Sequence, residues 1–344
     1  MDQPHLTVAY TLVAPPPEEI RAQSMPAAIE RLPEPLNPQR RPRRVGIEIE
    51  FGGIGVGDAA AMVQELYGGT IREVSRHRLE VAATRFGDFR VEIDSHYVHG
   101  AAVDGGTLAD RVKSILGDVA GDLAGRWLPV EIAAPPVQID DLAAIDHMVL
   151  GLRARHAAGT RSRRIYTFDL QLNPDVPSTE PDSLKRHLQA YLVLSPWLRA
   201  SIEVDATRRL LPFVRPFPEP YVRKVLAADY RPDLHGLVAD YLTANPTRFR
   251  ELDLLPLFAC LVPEQYAAAA ADSLVKPRPA FHYRLPDSRV EDPAWGGVIE
   301  EWNRWVQVER LAADVARLAA ACRAHLEIRP AGSWKERLRE ALEP

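Results

Sequence analysis

Two glutamates near residue 50 are of a type and spacing that could bind a metal ion. Residues 45–51 read Val-Gly-Ile-Glu-Ile-Glu-Phe, and their alternation of apolar and polar residues predicts a β-strand with Glu48 and Glu50 on one face. Two carboxylates on one face repel each other unless a cation or a proton compensates their charge. A solvated strand face also explains one such pair, so the interpretation depends on further acidic strands.

Two more acidic strands follow. Residues 89–94 alternate so that Glu92 and Asp94 share a face, and residues 128–133 carry Glu131 among apolar neighbours. A glutamate inside a buried strand is costly unless it is paired or bound to a metal. Strands that lie side by side would bring four glutamates to one sheet face: Glu48, Glu50, Glu92 and Glu131.

Carboxylate oxygens of this kind are hard ligands, which suit Mg²⁺ or Mn²⁺ rather than zinc. Mg²⁺ held by carboxylates usually completes its shell with water and phosphate oxygens, so the pattern points towards a nucleotide. Salt bridges to the many arginines of the chain are the alternative explanation of the same acidic strands.

The composition of the chain argues against several classes of protein. Its 344 residues are 46% hydrophobic and 26% charged, with a formal net charge of −5, which gives no general attraction to nucleic acid or to an anionic membrane. The two cysteines, Cys260 and Cys322, form no CxxC motif, so neither a disulfide framework nor a zinc site is predicted. No apolar run approaches the roughly 20 residues that span a bilayer. We therefore expect a cytoplasmic protein with neither nucleic acid nor a membrane as partner.

The chain divides into an arm, a domain and a tail. Residues 1–44 form a proline- and arginine-rich N-terminal arm, residues 45–330 a folded domain, and residues 331–344 a C-terminal tail. Proline removes backbone donors, so the arm is expected to be extended or disordered. The arginines at its end could bind a polyanion, but a solvated linker is the favoured interpretation; they are Arg40, Arg41, Arg43 and Arg44.

After the arm, the sequence mixes short strands with helices. Strands are predicted at 45–51, 77–84, 88–94, 128–133, 165–173 and 279–285, with a hairpin turn at 86–88. Helices are predicted at 58–67, 107–125, 140–157, 181–203, 221–228, 233–243 and 298–325. Helices inserted between hairpin-like strands favour an α+β fold with an antiparallel sheet over a doubly wound fold.

Five motifs give the chain a resemblance to a known family. In chain order they are Gly-Ile-Glu-Ile-Glu-Phe, Val-Glu-Ile-Asp-Ser, Val-Glu-Ile-Ala-Ala-Pro-Pro, Asn-Pro-Thr-Arg and Arg-Pro-Ala-Phe-His-Tyr-Arg-Leu-Pro. Over about residues 43–320 the chain resembles the amidoligase family, a bacterial branch of the glutamine synthetase and glutamate–cysteine ligase superfamily of carboxylate–amine ligases. The resemblance implies a glutamine synthetase-like curved antiparallel sheet with helices packed on one side.

The resemblance also implies a set of ligands. Two or three Mg²⁺ ions, with Mn²⁺ as an alternative, would lie on the sheet carboxylates at one end of a funnel that admits ATP from one end and the substrates from the other. Glu48 and Glu50 match the paired metal ligands of the first strand, with Glu48 at the metal nearer the transferable phosphate. Glu92 and Glu131 resemble the remaining carboxylate ligands.

Two later strands resemble strands that bind metal and phosphate in the superfamily. In residues 168–173, Gln171 stands where related amidoligases have a histidine ligand; it could still offer an oxygen to Mg²⁺ or a hydrogen bond to phosphate. Asn173 on the same strand is also predicted to bind phosphate. His282 takes the position of a metal ligand. Arg284 takes that of a phosphate-binding arginine, because a guanidinium forks onto phosphate oxygens.

Other basic residues are predicted to contact ATP phosphates or the substrate carboxylate. Arg278 lies in the same run as Arg284, and Arg248 and Arg250 belong to the region that begins Asn-Pro-Thr-Arg. A weaker candidate cluster consists of Asp205, Arg208 and Arg209.

The reaction that the resemblance implies is ATP- and Mg²⁺-dependent amide formation on an amino acid or peptide, through an acyl phosphate. Arg284 and Arg248 would assist catalysis, and Asp94 or Glu92 would deprotonate the amine. The alternatives are a phosphotransferase of the guanidino-kinase type and a non-catalytic member that binds nucleotide or a partner. A separate protein could supply ammonia or serve as substrate, and the sequence leaves the oligomeric state open.

Overall fold

The structure of the chain, a computed structural model, describes residues 28–93, 129–160, 168–202, 214–270, 272 and 274–327. Within them, eight strands form one open sheet in the order β2-β3-β4-β5-β1-β6-β8-β7, and neighbouring strands run antiparallel. The strands are β1 (Arg44–Phe51), β2 (Thr70–Ser75), β3 (Arg78–Thr84), β4 (Gly87–Ile93), β5 (Val130–Gln138), β6 (Leu170–Pro174), β7 (Leu252–Asp253) and β8 (His282–Tyr283).

The same part of the chain forms nine α-helices. They are α1 (Val56–Tyr67), α2 (Leu142–Ala154), α3 (Pro181–Ser201), α4 (Glu219–Leu226), α5 (Leu234–Ala244), α6 (Leu255–Leu261), α7 (Pro263–Ala270), α8 (Gly297–Ala313) and α9 (Val315–Glu327). Helix α1 packs on β3 and β4, and α8 packs against α2 and α3. The predicted α+β class with an antiparallel sheet is confirmed. Among the described residues, no helix has the length and apolar character needed to cross a bilayer.

The alternation of β1 separates a core face from a polar face. Ile47 and Ile49 are fully buried, in one apolar cluster with Met62 of α1. Burying a side chain of this size contributes roughly 1.5–3 kcal/mol to folding. Because successive residues of a strand point to opposite faces, Glu48 and Glu50 project from the face that turns away from this core.

The hairpin of β3 and β4 is confirmed, and its ladder ends with Thr84 opposite Gly87. Strand β2 is not predicted, because it lies at the sheet edge with largely exposed side chains and no apolar alternation. The short helices α6 and α7 are not predicted either. The predicted helix at 107–125 lies outside the described residues.

The single helix predicted at 298–325 is in fact two helices, α8 and α9. The chain leaves the helical conformation at Asp314, whose backbone is extended (φ −93°, ψ 91°). The Asp314 carboxylate accepts a hydrogen bond from the Arg317 amide at 3.0 Å, so this residue ends one helix and caps the next. The apolar stripe continues across the break, which is why periodicity alone does not reveal it.

Residues 28–43, which precede β1, pack against α8. The indole of Trp302 donates to the carbonyl oxygen of Glu30 at 3.0 Å. Arg43 is buried, and its guanidinium donates to both carboxylate oxygens of Glu309, at 2.5 and 3.0 Å. The expectation of a solvated arginine is therefore wrong for Arg43, because Glu309 compensates its charge inside the protein.

The carboxylate of Glu309 has a second partner in this buried site. The Nε2 atom of His187 lies 3.1 Å from Glu309 Oε2. Burial alone would raise the pKa of Glu309, but Arg43 and His187 outweigh it and hold that pKa below its usual value. A depressed carboxylate pKa contributes stability above the unfolded pKa and loses it as the pH falls. Glu309 therefore stabilises the fold at neutral pH only while its cationic partner is present.

Arg43→Met is expected to lower the free energy of unfolding by about 3–5 kcal/mol, because it leaves the Glu309 carboxylate buried without its arginine. The adjacent Arg44 has an exposed side chain and provides the matched control. Arg44→Met should change the free energy by no more than about 0.5 kcal/mol. Urea-induced unfolding measures both variants, and an Arg43→Met protein as stable as the Arg44→Met protein would contradict the assignment.

Candidate active site

Strand register places carboxylates side by side on the polar face of the sheet. Glu50 of β1 lies opposite Glu131 of β5, which in turn lies opposite Glu92 of β4. Directly before β6, the amide of Asp169 donates to Glu50 Oε2 at 3.1 Å, and the amide of Glu50 donates to the Asp169 carbonyl oxygen at 2.9 Å. We call Glu92, Glu131, Glu50 and Asp169 the carboxylate row.

The carboxylate row borders a cavity of about 280 Å³. Glu48 lies two residues from Glu50 on the same face of β1, with Gln171 of β6 opposite it. The described wall carries equal numbers of acidic and basic side chains, so its formal charge is balanced without a bound ion. The acidic ones are Glu48, Glu50, Glu92, Glu131, Asp169 and Asp253, and the basic ones are Arg78, Arg90, Arg248, Lys276, Arg278 and Arg284.

Two arginines compensate the row at its β4 end. Arg90 Nε lies 2.7 Å from Glu92 Oε1, and its Nη2 lies 3.3 Å from Glu131 Oε1. Arg78 Nε lies 3.6 Å from Glu92 Oε2. Burial alone would lower the pKa of Arg90, but Glu131, Glu92 and Glu48 outweigh it and raise that pKa. Salt bridges to arginine, the alternative explanation of the acidic strands, are therefore present at Glu92 and Glu131.

Three more arginines line the cavity near β8. Arg278 Nη1 lies 3.8 Å from Glu48 Oε1, and Arg248 Nε lies 3.7 Å from Asp272 Oδ2. The Nη1 atom of Arg284 donates to the carbonyl oxygen of Arg248 at 3.5 Å. The structure thus brings Arg248, Arg278 and Arg284 to one cavity with the predicted glutamates.

The acidic residues of the cavity wall stabilise the charged form of Arg284. Burial alone would lower its pKa, but Asp169 and Asp253, followed by Glu50 and Glu48, outweigh that effect and raise it. A guanidinium in such a place can bind an anionic oxygen without first gaining a proton.

Gln171 and His282 line the cavity, whereas Asn173 lies behind Glu48. The side-chain amide of Asn173 donates to Glu48 Oε1 at 3.0 Å, so Asn173 orients a carboxylate instead of forming part of the wall. Burial, and then Arg278 and Arg284, lower the pKa of His282 to about 3. His282 is therefore a neutral imidazole at physiological pH.

Arg250 does not reach the cavity. Its guanidinium donates to the carbonyl oxygens of Pro216 and, at 3.3 Å, Ala244, and it lies 5.8 Å from the centre of the Phe217 ring. These contacts join Arg250 to residues 216–217 and to the C-terminal end of α5, so the placement gives no support to a phosphate contact by Arg250. The predicted residues that lie outside the described part of the chain are Asp94, Asp205, Arg208 and Arg209.

Sequence reasoning missed two acidic residues of the wall. Asp169 alternates with Gln171, so the strand period could have placed it on the same face. Asp253 follows a loop and belongs to a strand of two residues, too short to show a period. Its side chain is 2% exposed and accepts a hydrogen bond from the Leu255 amide at 2.9 Å. Burial raises the pKa of Asp253 to about 7, against the opposing effect of Arg284.

The chemistry of the wall fits Mg²⁺ or Mn²⁺, because its acidic ligands are all carboxylate oxygens. In the described residues, however, no three His, Cys, Asp or Glu side chains already surround a common point at metal-binding distance. The carboxylate row instead extends along the sheet, one residue per strand. A divalent ion would therefore have to draw neighbouring carboxylates together by rotation of their side chains.

We expect Mn²⁺ or Mg²⁺ to raise the melting temperature of the protein by several degrees, since a bound ion at a hundredfold excess over Kd adds about 2.7 kcal/mol of stability. Glu50→Gln and Glu131→Gln should lose this increase. Without metal, Glu50→Gln should melt at the same or a slightly higher temperature than the wild type, because it relieves repulsion in the row. Glu131→Gln should melt at a lower temperature, because it also removes the salt bridge to Arg90. Glu73→Gln on the exposed edge strand β2 is the control. A large drop in the metal-free melting temperature of Glu50→Gln would identify Glu50 as a structural ion-pair partner.

Comparison with known proteins places this site in a family. No curated protein and no solved structure matches the chain. A family model described as "Putative amidoligase enzyme" matches residues 41–307. That range covers most of the chain and includes all eight described strands and every residue of the cavity wall. The chain belongs to this amidoligase family.

Proposed function

We propose that the protein is an ATP- and Mg²⁺-dependent carboxylate–amine ligase that acts on an amino acid or peptide through an acyl phosphate. Membership of the amidoligase family supports a ligase in general. The observation that carries the finer proposal is the cavity in which the carboxylate row and three arginines, Arg248, Arg278 and Arg284, meet. We also infer that the antiparallel sheet corresponds to the curved sheet of glutamine synthetases, with the helices on one side.

Glu48, Glu50, Glu92 and Glu131 would hold the metal ions. When bound, Mg²⁺ would supply positive charge to the oxygens of the transferring phosphoryl group. Asn173 supports this assignment, because a hydrogen bond from outside the ligand set fixes the orientation of a metal-binding carboxylate. Arg90 competes with a metal for Glu92 and Glu131, since it already contacts both carboxylates.

The proposed reaction has two steps. An oxygen of the substrate carboxylate attacks the terminal phosphorus of ATP, and the bond between that phosphorus and ADP breaks. The amine nitrogen then attacks the acyl carbon, phosphate leaves with the bonding electrons, and the amine loses a proton to a base. Arg284 and Arg248 would stabilise the negative charge on the phosphate oxygens. Glu92 lines the cavity and could act as the base only if it does not hold a metal ion, and Asp94, outside the described residues, stays a prediction.

Mg²⁺-dependent release of ADP, screened across amino acids and short peptides, tests the proposal. We expect release of ADP to require both an acceptor amine and a carboxylate, with one amide formed for each ADP. ADP accompanied by a phosphorylated substrate and no amide would instead indicate a phosphotransferase of the guanidino-kinase type. Nucleotide binding without turnover of any substrate would indicate a non-catalytic member.

Arg284→Lys is expected to reduce turnover by about 10²–10³, because lysine keeps the charge but loses the planar fork that matches phosphate oxygens. The affinity for ATP should fall much less, since the contact strengthens as charge develops in the transition state. Arg72→Lys, on the exposed edge strand β2, is the matched control and should leave both quantities unchanged. Normal turnover by the Arg284→Lys enzyme would show that this guanidinium does not act on the phosphate.

A further inference from the structure

Four side chains beside the cavity form one continuous hydrogen-bonded chain. Asn173 Nδ2 lies 3.0 Å from Glu48 Oε1, and Gln171 Nε2 lies 2.8 Å from Asn173 Oδ1. The same Gln171 nitrogen lies 3.0 Å from His282 Nδ1. The chain thus runs from a carboxylate, through two amides, to an imidazole.

The carboxylate fixes the direction of every bond in this chain. An ionised carboxylate only accepts hydrogen bonds, so Asn173 must present its NH₂ group to Glu48. Its carbonyl oxygen then faces Gln171, which must present its own NH₂ group in turn. One hydrogen of that group binds Asn173, and the other points at His282 Nδ1. His282 Nδ1 is therefore an acceptor without a proton, and in the neutral ring the proton is on Nε2.

The N–H group at Nε2 has no acceptor among the described residues. His282 lines the cavity, is only 7% exposed, and makes no hydrogen bond through Nε2 within the described part of the protein. A buried donor without a partner is unfavourable, and such groups in native proteins usually meet a ligand or water. Arg278 and Arg284 add positive charge around the same ring. The surroundings of Nε2 thus favour an anionic oxygen as its acceptor.

We propose that His282 binds a phosphate oxygen of the nucleotide through Nε2–H, and that Asn173 and Gln171 are positioning residues that hold it in this tautomer. A nitrogen that carries a proton cannot ligate a metal, so this role replaces the metal-binding role that the resemblance implies for His282. It also gives Gln171 a function where related amidoligases have a histidine. The identity of the ligand rests on the proposed function, but the tautomer follows only from the hydrogen bonds that connect Glu48, Asn173, Gln171 and His282.

Long-range ¹H–¹⁵N correlation spectra of the full chain with ¹⁵N-labelled histidine test the tautomer. The resonances of His282 are identified by their absence from the His282→Leu spectrum, or by their response to Gln171→Met if that variant does not fold. We expect a single neutral Nε2–H form near pH 7 in the wild type and a mixture of tautomers in Gln171→Met. Gln138→Met, on an exposed glutamine of β5, should change nothing. A wild-type ring that is protonated, or that carries its proton on Nδ1, overturns the proposal.

Titration calorimetry with Mn²⁺ and, separately, with inorganic phosphate tests the role. His282→Leu should change the affinity for Mn²⁺ by less than about twofold and weaken phosphate binding about tenfold or more, as expected for loss of a hydrogen bond to a charged group. A larger loss of Mn²⁺ affinity would show that His282 supports metal binding, directly or through Gln171 and Asn173, and would overturn the proposal. Unchanged phosphate binding by His282→Leu, or no phosphate binding by the wild type, would also overturn the proposal.

These measurements separate this proposal from the ligase assignment. If no substrate is turned over, but His282 keeps its Nε2–H form and phosphate binding depends on it, the ligase assignment fails and the role of His282 stands. If amide formation is found but the ring carries its proton on Nδ1, the ligase assignment stands and the role of His282 fails.

Discussion

Repulsion within the carboxylate row is the constraint on which the rest of the site depends. Acidic groups on adjacent strands are tolerated only where positive charge reaches them. Arg90 supplies that charge at Glu92 and Glu131, and Arg284 supplies it at the other end of the row. The arginines of the cavity are therefore both the structural partners of the acidic face and candidates to bind an anion. A metal at the row would share its oxygens with Arg90, so its affinity would depend on whether Arg90 can move away from Glu92 and Glu131.

The polar face can hold such a row because the other face of the same strands is anchored in the core. Ile47 and Ile49 pack in the core and hold β1 in place, and this packing fixes the positions of Glu48 and Glu50 on the opposite face. Side chains on rigid strands are placed more precisely than those on loops. The hydrogen bonds from Glu48 to Asn173 and from Asn173 to Gln171 connect this rigid strand to the neighbouring β6 and fix the side chains there as well. Register, rather than any single residue, is what assembles the site.

The sequence predicts well which side chains of one strand share a face, but it does not predict how strands that are far apart in the sequence pair with each other. The alternation of β1 predicts that Glu48 and Glu50 share a face, because the two-residue period is a property of one strand. That Glu50 stands directly opposite Glu131 is a matter of register between strands far apart in sequence, which no local pattern contains. Arg250 lies just before β7, and Asp253 lies in this strand of two residues. A stretch this short has no periodicity from which the direction of a side chain could be predicted. For that reason Arg250 was expected at the cavity and the burial of Asp253 was not.

The balance of acidic and basic side chains in the cavity wall has a consequence for rates. A cleft lined by one sign of charge attracts its ligand from a distance and speeds association by about 10–10³. Above about pH 7, where Asp253 is ionised as well, the electrostatic field of the described wall falls off over a short distance because its charges are balanced. An anion would then meet the wall by diffusion and be recognised only by direct contact. Association with this protein should then depend little on ionic strength, and differences between ligands should lie in how slowly each one leaves.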